Sequence, residues 1–191
     1  MYIEYEATFP NINLDQARQK LTAAGASLLR PEFLMRRTVF NLPPSQAIPG
    51  GWLRVRDEGD KTTLSLKVID GQKIENQKEA CLIIDNYQTG CELLVRLGAQ
   101  PKAYQESRRE IWQLDKVEIC LDQWPYLEPF LEIEGQSEAE VKAAAKKIGL
   151  DYKEALFCSV DELYHRQYGV DVDRVNNHTS RLDFSGPNPF L

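Results

Sequence analysis

The sequence predicts an α+β protein whose antiparallel β-sheet closes into a barrel with flanking helices. Segments of alternating polarity dominate the middle of the chain, as expected for strands. The predicted helices do not alternate regularly with the strands, which disfavours a parallel doubly wound sheet. The polar sides of several strands carry charges of one sign in pairs. With 191 residues, 42% of them hydrophobic, the chain suits one domain with an extension.

About eight segments have the two-residue period of strands and are bounded by turn residues. The sequence DEGD is predicted to join two of them as a hairpin turn. The predicted strands cover residues 2–9, 28–42, 52–57, 61–68, 78–85, 104–114, 116–122 and 128–135.

Three helices are predicted from a capping residue at the start and a glycine at the end. They run from Asn13 or Asp15 to about Ala24, from Asn86 to just before Gly98, and from Ser137 to Ile148. One or two more helices are expected in residues 151–168. Residues 1–169 are expected to form the barrel domain. Residues 170–191, rich in polar residues, proline and glycine, are expected to be a C-terminal extension that is loosely ordered or packed against it.

Composition narrows the classes of partner. The net charge of −6 argues against nucleic acid, because phosphate backbones are bound by clustered positive charge. No apolar run approaches the roughly 20 residues that span a membrane. The first residues lack the basic flank of a signal peptide, and the four cysteines lie far apart, as in reduced cytoplasmic proteins. We therefore expect a cytoplasmic protein with neither nucleic acid nor membrane as partner. A homodimer is one option that the sequence leaves open.

Splitting each predicted strand into its two faces separates apolar from charged residues. In the first strand, Ile3, Tyr5 and Ala7 share one face, while Glu4 and Glu6 share the other. The polar faces of all strands together hold seven acids and four bases. These are Glu4, Glu6, Glu79, Glu118, Asp122, Glu132 and Glu134, with Arg54, Arg56, Lys67 and Arg109.

The charged faces have two interpretations. The simpler interpretation is that the charged face lies in water, as one face of an antiparallel sheet commonly does. Against it, like charges recur at i, i+2 in Glu4/Glu6, Glu132/Glu134 and Arg54/Arg56. Side chains so spaced lie about 7 Å apart, and two carboxylates there repel by roughly 2 kcal/mol at an effective dielectric constant of about 20. Such repulsion requires a counter-ion.

In a closed barrel these faces would line a lumen with three more acids than bases. Clustered carboxylates favour Mg²⁺ or Mn²⁺ as the compensating cation. The arginines and the lysine would supply hydrogen-bond donors for phosphate oxygens. An anion bound by bases on one wall and bridged by metal to acids on the other is an arrangement that phosphoryl chemistry uses.

Several short motifs occur along the chain. Each motif alone is weak evidence for a family, but their order together is specific. The motifs are Glu4-x-Glu6, Leu53-Arg54-Val55-Arg56, Leu64-Ser65-Leu66-Lys67, Glu79, Arg109-Glu110-x-Trp112, Leu121-Asp122 and Phe130-Leu131-Glu132-Ile133-Glu134. In this order the chain resembles, over about residues 2–165, the CYTH family of triphosphate tunnel metalloenzymes. That family includes class IV adenylate cyclases, thiamine triphosphatases and inorganic triphosphatases.

The resemblance implies an eight-stranded antiparallel tunnel and a role for each charged group. It implies that metal, as Mg²⁺ or Mn²⁺, is bound by Glu4, Glu6, Glu132 and Glu134. It assigns triphosphate binding to Arg54, Arg56, Lys67 and Arg109. It also implies a catalytic, supporting role for Glu79 and Asp122.

The chain departs from the family pattern at three positions where basic residues are common: Thr8, Gln77 and Ser107. Replacement bases could come from neighbouring positions only if a bulge turned their side chains inward. The candidates for this are Arg36, Arg37, Lys78 and Arg108.

Three functions are consistent with these observations. The first is metal-dependent hydrolysis of a triphosphate such as tripolyphosphate, ATP or thiamine triphosphate. The second is class IV adenylate cyclase activity, which converts ATP to cyclic AMP and pyrophosphate, although the sequence shows no adenine-recognition motif. The third is a non-catalytic module that binds polyphosphate or nucleotide, which the missing bases favour. We expect the hydrolase in preference to the other two.

Overall fold

The computed structural model describes residues 1–191 and contains one large β-sheet with five α-helices. Short 3-10 turns occupy Pro44–Gln46, Ile74–Asn76 and Tyr152–Glu154. The strands are β1 Tyr2–Ile3, β2 Tyr5–Phe9, β3 Ser27–Asn41, β4 Gly51–Asp57, β5 Thr62–Ile69, β6 Gln77–Ile84, β7 Gln100–Leu114, β8 Val117–Gln123, β9 Phe130–Gly135 and β10 Arg181–Leu182. The helices are α1 Leu14–Ala23, α2 Tyr87–Arg96, α3 Glu138–Lys147, α4 Val160–Tyr168 and α5 Val172–Asn177.

The first strand region closes the sheet into a barrel. The strand order is β1-β6-β5-β4-β3-β7-β8-β9-β2, so β1 and β2 lie at opposite edges. Only Glu4 separates these two strands in the chain, and its N–H donates to the carbonyl of Gln77 at 2.9 Å. One segment therefore joins both edges. Counted as one strand, β1 and β2 complete the eight-stranded antiparallel barrel that the sequence predicts.

The predicted helix starts are confirmed by their capping contacts. The side chains of Asn13, Asn86 and Ser137 each accept a hydrogen bond from a backbone N–H in the first turn of α1, α2 and α3. Such a bond satisfies one of the donors that a helix start leaves without a partner. Gly98, with φ of +91°, lets the chain leave α2 in a left-handed conformation that suits glycine.

The main hydrophobic core lies outside the barrel, between its wall and helices α1 and α3. Ala7, Ile119 and Ile133 point outward from β2, β8 and β9 and are fully buried against residues such as Val141 and Ala145 of α3. Because strand side chains alternate, this packing directs the charged side chains of the same strands into the barrel. The division of the strands into apolar and charged faces is thereby confirmed.

The C-terminal residues pack against the barrel and form a second core. Residues of α4, α5 and β10, together with Phe190, surround Trp124 and Phe130, which follow β8 and begin β9. Strand β10 pairs in parallel with β7 at Tyr104 and Gln105. Of the two arrangements expected for residues 170–191, the packed one is observed. The helices are all too short or too polar to cross a bilayer.

Candidate functional site

One wall of the barrel lumen carries a row of three glutamates. Glu6 of β2 is the register partner of Glu134 of β9, which in turn is the register partner of Glu118 of β8. Directly opposed residues on neighbouring antiparallel strands have Cβ atoms about 4.5–5.5 Å apart. None of the three carboxylates forms an ion pair, since Lys67 and Arg109 bind other acids. This acidic row, Glu6, Glu118 and Glu134, therefore concentrates uncompensated negative charge.

The pKa values of the acidic row show the cost of this crowding. Burial, followed by the charges of Glu6 and Glu4, raises the pKa of Glu134 to about 8. Burial, followed by the charge of Glu132, also raises the pKa of Glu6. Removing a carboxylate from water and placing another beside it both favour the protonated form. The row is thus stable either with bound protons or with a compensating cation.

The opposite wall, formed by β3, β4 and β5, carries the bases. Lys67 Nζ lies 2.9 Å from an oxygen of Glu4, and Arg54 Nη2 lies 3.1 Å from Glu79 Oε1. Arg56 is bound by the buried carboxylate of Glu58, the shortest distance between them being 2.6 Å. These contacts hold the basic groups inside the lumen at fixed positions.

Arg109 on β7 joins the two walls. Its Nε and Nη2 donate to the two oxygens of Asp122 at 2.9 and 2.8 Å, and Nη2 also contacts Glu132 Oε2 at 2.6 Å. Asp122 is fully buried. Two parallel bonds of this kind fix the plane of the guanidinium as well as its position. Arg109 is accordingly the most firmly oriented base of the lumen.

Glu79 lies at the centre of a similar network on β6. The hydroxyl of Tyr2 donates to Glu79 at 3.1 Å, and Arg54 contacts the other oxygen of the carboxylate. Burial alone would favour the neutral acid, but the charge of Lys67 and that of Arg54 outweigh it and lower the pKa of Glu79 to about 2. Glu79 therefore remains ionised and holds Arg54 in place.

The three positions where the family commonly has bases are buried and uncharged. Thr8, Gln77 and Ser107 are each less than a tenth exposed. Of the four candidate replacements only Arg37 is buried. Arg36, Lys78 and Arg108 instead pair with acids at the surface, at 3.5, 2.5 and 3.7 Å respectively.

Arg37 is a conditional candidate in the sequence because residues 28–42 show no single division into two faces. In the structure, β3 pairs with β7 through register shifts between Leu28 and Arg30, between Arg30 and Phe33, and between Val39 and Phe40. Between these irregularities, Met35, Arg37 and Val39 alternate as buried residues. That alternation was the signal in the sequence that could have placed Arg37 in the lumen.

The acidic side chains fit a hard divalent cation by their chemistry. Glutamate oxygens are preferred ligands of Mg²⁺ and Mn²⁺, and the acidic row lacks any basic partner. As placed, no three His, Cys, Asp or Glu side chains are arranged around one point that could hold a metal ion. Among the expected ligands, Glu4 and Glu132 already contact Lys67 and Arg109. Metal binding would therefore require glutamate side chains to reorient.

A polar cavity opens beside the acidic row. Its volume is about 240 Å³, and it is lined by Glu118, Glu134, Gln113 and Lys116, among others. Farther along β2, Thr8 forms an antiparallel bridge with Leu156 through two backbone hydrogen bonds of 2.9 Å. The polar cavity therefore gives access to two residues of the acidic row.

Comparison with known proteins agrees with this architecture. The CYTH domain family model matches residues 2–164, so the chain belongs to the CYTH domain family and the resemblance seen in its motifs is confirmed. No curated protein matches the sequence significantly.

Several solved structures share the fold. The PH1012 protein of Pyrococcus horikoshii OT3 is 24% identical, with a TM-score of 0.70, over 84% of this chain and 98% of that one. A Vibrio parahaemolyticus protein proposed to be an adenylate cyclase is 14% identical, with a TM-score of 0.73, over 85% of this chain and 97% of that one. A Hippeastrum protein proposed to be an adenylyl cyclase, in which triphosphatase activity is dominant, is 14% identical. Its TM-score is 0.58 over 88% of this chain and 98% of that one. At these identities the likeness supports the fold.

Proposed function

We propose that this protein is a divalent-metal-dependent phosphohydrolase that acts on an inorganic or organic triphosphate. The observation that carries the proposal is the separation of charge in the lumen. Acids without partners lie on one wall, and a cluster of bases with less than a fifth of each side chain exposed lies opposite them. A triphosphate is a small, multiply charged anion that needs both the bases and a metal to compensate its charge. Membership of the CYTH family supports the same class of substrate.

Arg54, Arg56, Lys67 and Arg109 would bind the triphosphate. All four now contact a carboxylate in or beside the lumen, at distances between 2.6 and 3.1 Å. These carboxylates hold the donors in a site largely shielded from solvent, where charge-assisted bonds to phosphate oxygens are strong. The guanidinium groups can each bind two phosphate oxygens, whereas Lys67 contributes a compact charge.

Glu4, Glu6, Glu132 and Glu134 would hold Mg²⁺ or Mn²⁺, with Glu118 close to Glu134. A bound divalent cation would neutralise phosphate charge and act as a Lewis acid toward the phosphate oxygens. The raised pKa values of Glu4, about 7, and Glu134, about 8, mean that cation binding must displace protons near neutral pH. Binding should therefore tighten as the pH rises.

Glu79 and Asp122 would support the reaction by positioning arginines. Each is ionically bound to one arginine, Glu79 to Arg54 and Asp122 to Arg109. In hydrolysis, the oxygen of water forms a bond to the terminal phosphorus and the bond to the bridging oxygen breaks. Orthophosphate and the shortened phosphate chain leave. The oriented arginines would stabilise the charge that shifts onto the leaving oxygen.

Phosphate release from tripolyphosphate, ATP and thiamine triphosphate, with Mg²⁺ or Mn²⁺ at neutral and alkaline pH, tests the proposal. We expect release from at least one substrate and a large loss in Arg54→Gln. Arg36→Gln is the matched control, because Arg36 is exposed and pairs only with Asp57. No release from any substrate would contradict hydrolysis. Cyclic AMP and pyrophosphate from ATP would identify a cyclase, and tight binding without turnover would identify a binding module.

A further inference from the structure

Arg37 differs from every other base in the lumen because no carboxylate contacts it. The residue is 6% exposed, and its Nε has no hydrogen-bond partner. One Nη donates to the hydroxyl of Ser107. The guanidinium carbon lies 4.5 Å from the centre of the Trp124 ring. A hydroxyl and an aromatic face orient the group but do not neutralise its charge.

The groups around Arg37 add further positive charge to this uncompensated guanidinium. Burial, then the charges of Arg56, Arg54 and Arg109, lower the pKa of Arg37 well below its usual value. Arg56 is the register partner of Arg37 on β4, which places their Cβ atoms about 5 Å apart. A buried charge without a partner destabilises the folded protein by several kcal/mol unless something compensates it. The arrangement is therefore incomplete without an anion.

We propose that Arg37 is a further anion-binding residue of the lumen, and that it binds one phosphoryl group of the substrate together with Arg56. This inference rests on the proposed function for the nature of the anion. Beyond the N–H that contacts Ser107, the guanidinium keeps its Nε–H and further Nη–H donors in one plane, which suits the oxygens of a phosphoryl group. Arg37 thus supplies a positive charge beside Ser107, one of the positions where a family base is missing.

The C-terminal residues pack around Trp124, the ring on which the Arg37 guanidinium lies. Trp124, which underlies the guanidinium, packs in one core with Val175, Leu182 and Phe190. Strand β10 pairs with β7 at Gln105, and Gln105 is the register partner of Arg37. Residues 170–191 therefore fix Trp124, and Trp124 fixes the plane of Arg37. Such orientation before binding lowers the entropy cost of holding the anion.

The test compares Arg37→Met with Arg36→Met, the matched change on the outer face of the same strand. Methionine retains an unbranched side chain that can pack on Trp124 but removes the charge. Two quantities are measured: the dissociation constant for a non-hydrolysable tripolyphosphate analogue, by calorimetry with Mn²⁺, and the melting temperature without ligand. We expect Arg37→Met to weaken binding at least tenfold without lowering the melting temperature, because the buried charge is gone. Arg36→Met should change neither.

Arg37→Lys serves as a second variant, since it keeps the charge but loses the planar donors, and we expect intermediate affinity. Unchanged affinity in Arg37→Met would overturn the inference. So would a lower melting temperature in both Arg37 variants with no specific loss of affinity, because that result indicates a structural role. Wild-type protein that binds tripolyphosphate but does not hydrolyse it would contradict the proposed hydrolysis and leave the role of Arg37 supported. Wild-type protein that does not bind it would overturn both.

Discussion

The acidic row makes stability depend on pH in a way that one substitution should remove. Glu134 has a pKa of about 8 in the folded protein, against an ordinary value of 4.5. Between these two values the folded state keeps a proton that the unfolded state releases. Stability is therefore highest below pH 4.5 for this group and is lost as the pH rises toward 8. Glutamine cannot ionise, so Glu134→Gln should not lose stability in this way as the pH rises.

The expected magnitude follows from the same two pKa values. Each pH unit between 4.5 and about 8 is worth about 1.4 kcal/mol for a single isolated group, which gives an upper limit near 5 kcal/mol. Glu6 and Glu4 repel Glu134 and also take up protons themselves. The stability gained by substituting Glu134 alone is therefore smaller than this limit. We expect Glu134→Gln to be more stable than the wild type by about 2 kcal/mol at pH 8 and by much less at pH 5.

Urea unfolding at pH 5 and pH 8, with and without Mn²⁺, measures this difference. At pH 8, Mn²⁺ should stabilise the wild type more than Glu134→Gln, because the cation compensates the carboxylate that the variant lacks. Glu92→Gln is the control. Glu92 is exposed on α2 with only Arg96 beside it, so its effect should stay within about 0.5 kcal/mol. Equal stability of Glu134→Gln and wild type at pH 8 without metal would refute the account of the acidic row.

Three further predictions concern other parts of the barrel. Arg109→Met should lower the free energy of unfolding at pH 7 by about 3–5 kcal/mol, because it leaves buried Asp122 unpaired, and adding Asp122→Asn should recover part of that loss. Equal losses in the single and double variants would argue against this ion pair. Leu182→Ala should cost about 2–5 kcal/mol in urea unfolding, since Leu182 is fully buried in the second core; a cost near zero would mean that β10 does not pack as described. Trp124→Phe should weaken tripolyphosphate binding in calorimetry but not in a protein that already carries Arg37→Met, and additive losses would contradict the stacking role of Trp124.

Local patterns in the sequence were sufficient for the strands, the helix caps and the charged faces. Alternation in residues 2–9 separates Ala7 from Glu6, and the structure places the first in the outer core and the second in the lumen. Asn86 and Ser137 cap helices as expected, because capping depends on one side chain and the next few backbone N–H groups. These features involve only near neighbours in the chain.

The remaining features depend on contacts between distant parts of the chain. Nothing local shows that residues 2–9 pair with β6 at one end and β9 at the other, although this closes the barrel. The ion pair of Asp122 follows from its register with Arg109, and that of Glu79 from contact with Arg54 across β5; neither follows from local pattern. Alternation groups Arg37 with Met35 and Val39 on one face of β3, but the register shifts that bound this alternation follow from pairing with β7. The packed C-terminal extension required the core around Trp124, which forms only in three dimensions.

The central claim is that a triphosphate and divalent cations bind together inside the barrel. A crystal structure with Mn²⁺ and a non-hydrolysable tripolyphosphate analogue tests it most directly, with manganese located by anomalous scattering. We expect manganese against the acidic side chains near Glu6 and Glu134, with phosphoryl groups bound by Arg54, Arg56 and Arg109. Manganese and analogue bound only on the outer surface, with the lumen ion pairs of Lys67 and Arg109 unchanged, would contradict it.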